Sequence, residues 1–266
     1  MIVSINNNSL FFETAGDSNN PALIFIHGFP FNHHIWDEQV DVLKEKFYVI
    51  VYDVRGHGQS EVGDGQYSIE LFVDDLIGLL DYLKIKKIII AGLSMGGYIA
   101  LRAVQRNPER FNGLVLASTR SESDTNEAKL KRFKSITLLK KEGGLIAFCE
   151  PFLKTAFSES TLKNHPEVVD RLRKIILKNT SLGIVGTLLA LASRTDTSEI
   201  LSQITIPALI MAGKEDVTIP SSVSVAMHEK IAKSKLEIFS NAGHMINMEF
   251  SDLFNQKIQS WWNHSK

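Results

Sequence analysis

Short runs that are apolar at every position alternate along the chain with longer stretches that are apolar on one side only. Ala22-Leu23-Ile24-Phe25-Ile26, Tyr48-Val49-Ile50-Val51-Tyr52, Ile88-Ile89-Ile90 and Leu114-Val115-Leu116-Ala117 are of the first kind. With no polar face, each predicts a strand covered on both sides. Between them, Trp36, Val40 and Leu43 mark one side of a helix over 35–44. Ile69, Phe72, Val73, Leu76, Ile77, Leu80 and Leu83 recur at i, i+3, i+4 spacing behind Ser68, a suitable N-cap, and predict an amphipathic helix. Helical spacing follows Ile88-Ile89-Ile90 at once, in Ile99, Leu101, Ala103 and Val104, and stops near Asn107-Pro108. At the start, 2–5 and 10–13 read as a hairpin joined through Asn6-Asn7-Asn8, residues that tolerate positive φ.

Strand–helix alternation predicts a mainly parallel sheet with helices on both faces. It breaks off at Ser118. Until about Ser202 the pattern is helical only, over 127–141, 145–157, 166–179 and 181–193. Alternation then resumes with a strand over 206–213, a helix over 220–232 and a strand over 236–239. A closing helix over 251–262 has Leu253, Phe254, Ile258 and Trp261 as its buried stripe. The expectation is an α/β chain with an eight-stranded, mostly parallel sheet. Its core is 1–117 with 203–266, and 118–202 is an inserted helical cap.

Composition narrows the function classes. The 266 residues are 44% apolar and 22% charged, ordinary for a globular protein, and the formal net charge of -1 gives no overall attraction to nucleic acid or anionic membrane. Lys129, Lys131, Arg132, Lys134, Lys140 and Lys141 cluster in the helical segment, but acids balance them across the chain, so they read as a solvated helix face. Cys149 is the only cysteine, which leaves no internal disulfide and no cysteine-based metal cluster. The N-terminus has no signal-peptide pattern, and no apolar run reaches the length of a bilayer span. These features lead us to expect a soluble, cytoplasmic monomer or homodimer with no nucleic-acid or membrane partner, no cofactor and no metal.

The chemistry centres on Gly92-Leu93-Ser94-Met95-Gly96, set between strand and helix. A turn that sharp needs residues without side chains beside the serine, and it would lift the Ser94 hydroxyl above the sheet. An alcohol is a weak nucleophile at neutral pH, so a base must take its proton and a third group must hold that base. Open α/β sheets put such groups in loops at the C-terminal ends of their strands. His244, past the last strand in Ala242-Gly243-His244, is the candidate base. Asp216, past the preceding strand in Gly213-Lys214-Glu215-Asp216, is the candidate acid and is preferred to Glu215. The backbone N–H groups of Met95 and of Phe29, in His27-Gly28-Phe29-Pro30, are candidate oxyanion donors. His27 reads as structural, and His33 and His34 as residues of the entrance. Phe31, Trp36, Phe148, Phe152 and Leu188 are candidate pocket walls.

Together, the Ser94 pentapeptide, His27-Gly28-Phe29-Pro30, Asp53-Val54-Arg55-Gly56-His57-Gly58-Gln59-Ser60, Gly213-Lys214-Glu215-Asp216 and Ala242-Gly243-His244 closely resemble the α/β-hydrolase superfamily, over nearly the whole chain. Within it the sequence is similar to the branch of 3-oxoadipate enol-lactonases and small carboxylesterases, a likeness to which Arg194-Thr195-Asp196 ahead of Ile206-Pro207 adds. The resemblance implies a Ser-His-Asp triad, a helical cap over the pocket and no metal, with Arg55 and His57 structural. Serine at the nucleophile position argues against the dehalogenases, which use Asp, and the dienelactone hydrolases, which use Cys. The implied activity is hydrolysis of a small or medium ester or lactone. A C–C bond hydrolase, a cofactor-free perhydrolase, and a small-molecule receptor with little turnover are the alternatives.

Overall fold

The computed structural model describes residues 1–265. In chain order the elements are β1 (Ile2–Ile5), β2 (Asn8–Ala15), β3 (Ala22–Ile26), α1 (Asp37–Leu43), β4 (Tyr48–Tyr52), α2 (Ile69–Tyr82), β5 (Ile88–Leu93), α3 (Met95–Arg106), β6 (Phe111–Ala117), α4 (Asn126–Leu139), α5 (Gly144–Ala156), α6 (Glu159–Asn164), α7 (Pro166–Leu177), α8 (Ser181–Ala192), β7 (Ala208–Gly213), α9 (Ser221–Lys230), β8 (Ser234–Phe239), α10 (Ile246–Glu249) and α11 (Ser251–His264). The eight strands form one sheet in the order β1-β2-β4-β3-β5-β6-β7-β8. β1 and β2 pair antiparallel, as do β2 and β4, and every pair from β4 to β8 is parallel.

The all-apolar runs are strands because both of their faces are covered. Leu23 and Phe25 of β3 belong to one buried layer, with Trp36, Leu43, Phe254 and Trp261. Ile24 and Ile26 point into the other, with Phe72, Leu76, Ile99 and Leu101. α2 starts where the sequence places it: the Ser68 side chain accepts from Leu71 N–H at 3.1 Å. Ile69, Phe72, Val73, Leu76 and Leu80 are buried against the sheet. A fully buried Phe72 or Leu76 contributes roughly 2 kcal/mol by removal from water. In α11 the buried stripe is Phe254, Ile258, Trp261 and Trp262, whereas Leu253, expected in that stripe, is exposed.

Two short helices escape the sequence pattern. α6 has six residues and α10 has four, too few turns to show a periodic stripe. The helix expected over 35–44 divides into a 3₁₀ turn, His33–Trp36, and α1. α4 to α8 all lie between β6 and β7, and no strand interrupts them among the described residues. The two ends of this helical insertion are joined at a neck. Thr197 N–H and Oγ1 both donate to the Ser121 carbonyl, at 2.9 and 3.1 Å, and Ser123 N–H donates to Asp196 at 2.9 Å. Arg194 donates to the Glu122 carbonyl at 2.8 Å and to Asp124.

The parallel strands all run the same way, so the loops after β3, β4, β5, β6, β7 and β8 gather at one edge of the sheet. The insertion leaves the core at that edge. Among the described residues no single helix is long and apolar enough to cross a membrane.

Candidate active site

β5 and α3 meet at Ser94 with almost no intervening chain. Ser94 has φ +54° and ψ −112°, a conformation that costs a non-glycine residue roughly 1–3 kcal/mol. Surrounding bonds hold it there. Ser94 N–H donates to the Ala117 carbonyl at 2.9 Å, and the Ser94 carbonyl accepts from Gly97 N–H at 2.9 Å and Thr119 Oγ1 at 2.8 Å. The flanking glycines serve a different need, since neither has positive φ. A Cβ on Gly92 would lie 2.2 Å from the Gly96 carbonyl, and one on Gly96 would lie 2.1 Å from the Ile26 carbonyl oxygen. They let α3 cross directly over the ends of β5 and β3.

Past β8, His244 is buried, and its Nδ1 lies 2.7 Å from Asp216 Oδ2. Asp216 follows β7 and is itself fixed: Oδ1 accepts Thr218 N–H at 2.8 Å and Ile219 N–H at 2.9 Å. One carboxylate therefore shapes its own loop and orients the imidazole. Glu215 points to solvent. Ser94 and His244 line one cavity of about 410 Å³.

Phe29 lies beside this cavity in the loop after β3. His27 sets that loop. Its Nδ1 sits 2.9 Å from the Gly28 carbonyl, and its Nε2 accepts Val54 N–H at 2.9 Å. The ring is thus neutral, and burial holds its pKa down to about 4. His57, which meets His27 edge-to-face, is pushed down to about 3 by the same cause. Met95 is the first residue of α3, a position whose N–H has no intrahelical acceptor. Phe29 N–H is bonded to no acceptor among the described residues.

The cavity wall differs from the expected one. Phe148, Phe152 and Leu188 are on it. Phe31 and Trp36 are not: both are fully buried, Phe31 behind the Phe152 ring at 5.8 Å and Trp36 between Phe25 and Phe254. An aromatic following the loop after β3 faces the sheet, where the larger apolar area is. Sequence reading missed Tyr98, Ala128, Lys131, Arg132, Ser135, Thr155, Leu191 and Thr218. Four of these follow i, i+3, i+4, i+7 spacing on α4, a signal hidden because that face is polar. The basic cluster is therefore divided, with Lys131 and Arg132 on the cavity, Lys129 half-buried, and Lys134, Lys140 and Lys141 exposed.

Most cations around the cavity have a carboxylate partner. Arg132 and Arg194 both donate to Asp124, and Lys131 lies 2.9 Å from Glu127. Arg194 also sits 4.4 Å over the Tyr98 ring. Asp196 is held below the usual carboxylate range by backbone N–H donors and by Arg194, although burial opposes this. Arg120 reaches only the Thr218 carbonyl, at 3.5 Å.

Neither His33 nor His34 reaches the Ser94 cavity. His33 pairs with buried Asp53 at 2.7 Å. Its ring and its N–H offset the burial of Asp53, whose carboxyl stays below the ordinary carboxylate range. Arg55 forks onto Asp75 at 2.7 and 2.8 Å, tying the loop after β4 to α2. Among the described residues no three His, Cys, Asp or Glu side chains are grouped to hold a metal ion.

The chain matches the alpha/beta hydrolase fold family over residues 21–251. It is 31% identical over 252 residues to 3-oxoadipate enol-lactonase 2 of Acinetobacter baylyi, covering 95% of this chain and 92% of that one. Among solved structures it is similar to a thermophilic esterase from Thermogutta terrifontis with malate bound. The TM-score is 0.94 at 33% identity, over 100% of this chain and 98% of that one. It is also similar to the enol-lactonase from Burkholderia xenovorans, at TM-score 0.92 and 25% identity, over 99% of this chain and 100% of that one. A serine held in a strained elbow, a buried His–Asp pair whose imidazole lines the same cavity, and these matches lead to one conclusion: the chain belongs to the α/β-hydrolase family and is a hydrolase.

Proposed function

We propose that the protein hydrolyses small or medium, uncharged carboxylic esters or lactones through an acyl-enzyme formed on Ser94. His244 accepts the Ser94 proton as Oγ attacks the carbonyl carbon. Asp216 holds the imidazole with its Nδ1 proton inward, leaving Nε2 for catalysis, and stabilises the imidazolium that forms. Phe29 and Met95 N–H groups receive the charge that develops on the carbonyl oxygen. His244 then returns its proton to the leaving alcohol. Water, deprotonated by the same imidazole, attacks the acyl carbon, and Ser94 leaves with its proton restored. Substrate is the one partner this chemistry requires.

The observation that carries this reading is the pairing of a positive-φ serine with His244 on one cavity, with His244 Nδ1 2.7 Å from Asp216. The apolar wall of Phe29, Phe148, Phe152, Leu188 and Leu191 supports an apolar acyl or aryl group. Arg132 and Arg194, the less exposed cations near the cavity, already share Asp124, which favours a neutral substrate over an anionic one. The relatives named as enol-lactonases and as an esterase support an ester or lactone over a C–C bond or a peracid. Short p-nitrophenyl esters and simple lactones, tested beside Ser94→Ala, decide the matter. Turnover lost in the variant, with fluorophosphonate labelling lost in parallel, is expected. Undiminished turnover in Ser94→Ala would falsify the nucleophile assignment. Labelling without turnover of any ester would favour a ligand receptor.

A further inference from the structure

The loop that carries His244 is bonded to the helical insertion as well as to the core beneath it. Gly243 N–H donates to Glu249 Oε1 at 2.8 Å, just ahead of the imidazole. The other oxygen of the same carboxylate reaches across to the insertion, where Oε2 accepts Ser158 N–H at 2.9 Å and Thr161 Oγ1 at 2.7 Å. The Thr161 hydroxyl is in turn aligned by Ser158 Oγ at 3.0 Å, in the first turn of α6. Beside this bridge, the Ala156 carbonyl accepts both His244 N–H at 3.1 Å and Met245 N–H at 3.0 Å. The backbones touch: a Cβ on Gly243 would come within 2.5 Å of Phe157 and Ser158 backbone atoms. The loop of the acid is joined to the same stretch, through Thr218 Oγ1 and the Thr155 carbonyl at 3.3 Å.

These contacts converge on seven consecutive residues, Thr155 to Thr161, which run from the last residues of α5 into the first turn of α6. Phe148 and Phe152 of the cavity wall belong to the helix that leads into them. We propose that Glu249 is a positioning residue that locks the His244 loop to the insertion, so that the base stands in its working position only while residues 155–161 are seated. Glu249 touches neither substrate nor the reacting atoms. It acts through the peptide of Gly243. A carboxylate suits this place because it accepts on both oxygens, and all three groups facing it are donors. The proposal rests on the reading of His244 as the base.

Two variants break the lock from opposite ends. Glu249→Gln puts an amide N–H₂ against one donor or the other, and Thr161→Val removes the hydroxyl on the insertion side. Steady-state hydrolysis of p-nitrophenyl butyrate, far-UV circular dichroism and urea midpoints are measured on the full chain. The expected result is a kcat lowered at least about tenfold in each folded variant, since a misplaced catalytic group forfeits orientation. KM stays within about twofold, Thr161→Ser restores kcat, and the double variant is little worse than the worse single one. If Glu249→Gln does not fold, the decision rests on Thr161→Val and its serine rescue. Near-wild-type kcat in both variants, or additive losses, overturns the lock. A His244→Gln control separates the two claims. If it is inactive while the lock variants are normal, only the lock fails. If it is active, the assignment of the base fails and the lock with it.

Discussion

Replacing Asp216 with asparagine probes the candidate site at the point where geometry makes the sharpest demand. Asn has the shape of Asp, so the test turns on hydrogens alone. Two backbone donors, Thr218 N–H at 2.8 Å and Ile219 N–H at 2.9 Å, fix which way the new amide faces. Its oxygen must take the place of Oδ1, since the reverse orientation would set an N–H₂ against two N–H groups in a buried site. The amide nitrogen then faces His244 Nδ1, where the carboxylate oxygen stood at 2.7 Å. Nδ1 must accept, so the ring proton moves to Nε2, the atom that has to take the Ser94 proton. The wrong tautomer in a Ser-His-Asp site lowers kcat by about 10⁴, or roughly 5 kcal/mol of barrier. The assay is steady-state hydrolysis of p-nitrophenyl butyrate by Asp216→Asn, beside Glu215→Gln as the neighbouring exposed control. A fluorophosphonate labelling rate measured in parallel is expected to fall with kcat. Asp216→Asn within tenfold of wild type, or a larger loss in Glu215→Gln, would refute both the role of Asp216 and the tautomer reasoning.

Four further outcomes follow from features described above. Ser94→Gly should abolish turnover and raise stability by about 1 kcal/mol in urea titrations, because glycine holds φ +54° without strain; an unchanged or lower stability contradicts stored strain at the elbow. His27 and His57 have folded pKa values lowered to about 4 and about 3 from 6.5, so as pH falls below 6.5 the unfolded chain binds protons the folded one refuses, and stability falls. Each contributes a slope of about 1.4 kcal/mol per pH unit down to its folded pKa, and urea midpoints between pH 6.5 and 4.5 should show that slope reduced in His57→Gln. Phe148→Ala should move the preferred acyl chain of p-nitrophenyl esters to longer lengths, since Phe148 stands on the wall between Phe29 and Phe152, and an unchanged chain-length profile would remove it from the acyl side. On the same cavity, a neutral ester should outrun a hemiester of equal length in kcat/KM, and the reverse order would mean that Lys131 or Arg132 is available to an anion.

The sheet was legible because burial on both faces leaves runs such as Tyr48-Val49-Ile50-Val51-Tyr52 with no polar position to confuse the period. Ser94, Asp216 and His244 were legible because each follows a strand by one to five residues, so topology alone brings their loops to one edge. The pocket was not. Its walls come from helices whose inner faces are partly polar, as with Ala128, Lys131, Arg132 and Ser135, and apolar periodicity is blind to such faces. Phe31 and Trp36 were misread for the complementary reason: a large aromatic near the site goes to whichever side buries more of it, here the layer holding Phe25 and Phe254. Glu249 gave no signal either, because one exposed-looking acid in Met248-Glu249-Phe250 reveals nothing of three donors drawn from elsewhere in the chain.

The neck between residues 121–124 and 194–198 bears on how such proteins diversify. Its bonds close the ends of the insertion on each other, so the intervening chain can lengthen, shorten or be replaced as a cassette without straining β6 or β7. On the proposed function, substrate preference is thereby separable from the Ser94 elbow in inheritance and in protein engineering. The separation has one restriction. A graft seated only at the neck would leave the histidine loop without the Ala156 carbonyl that receives two of its N–H groups. Productive chimaeras must carry a second socket that fits this loop, which narrows the exchangeable repertoire to insertions that share it.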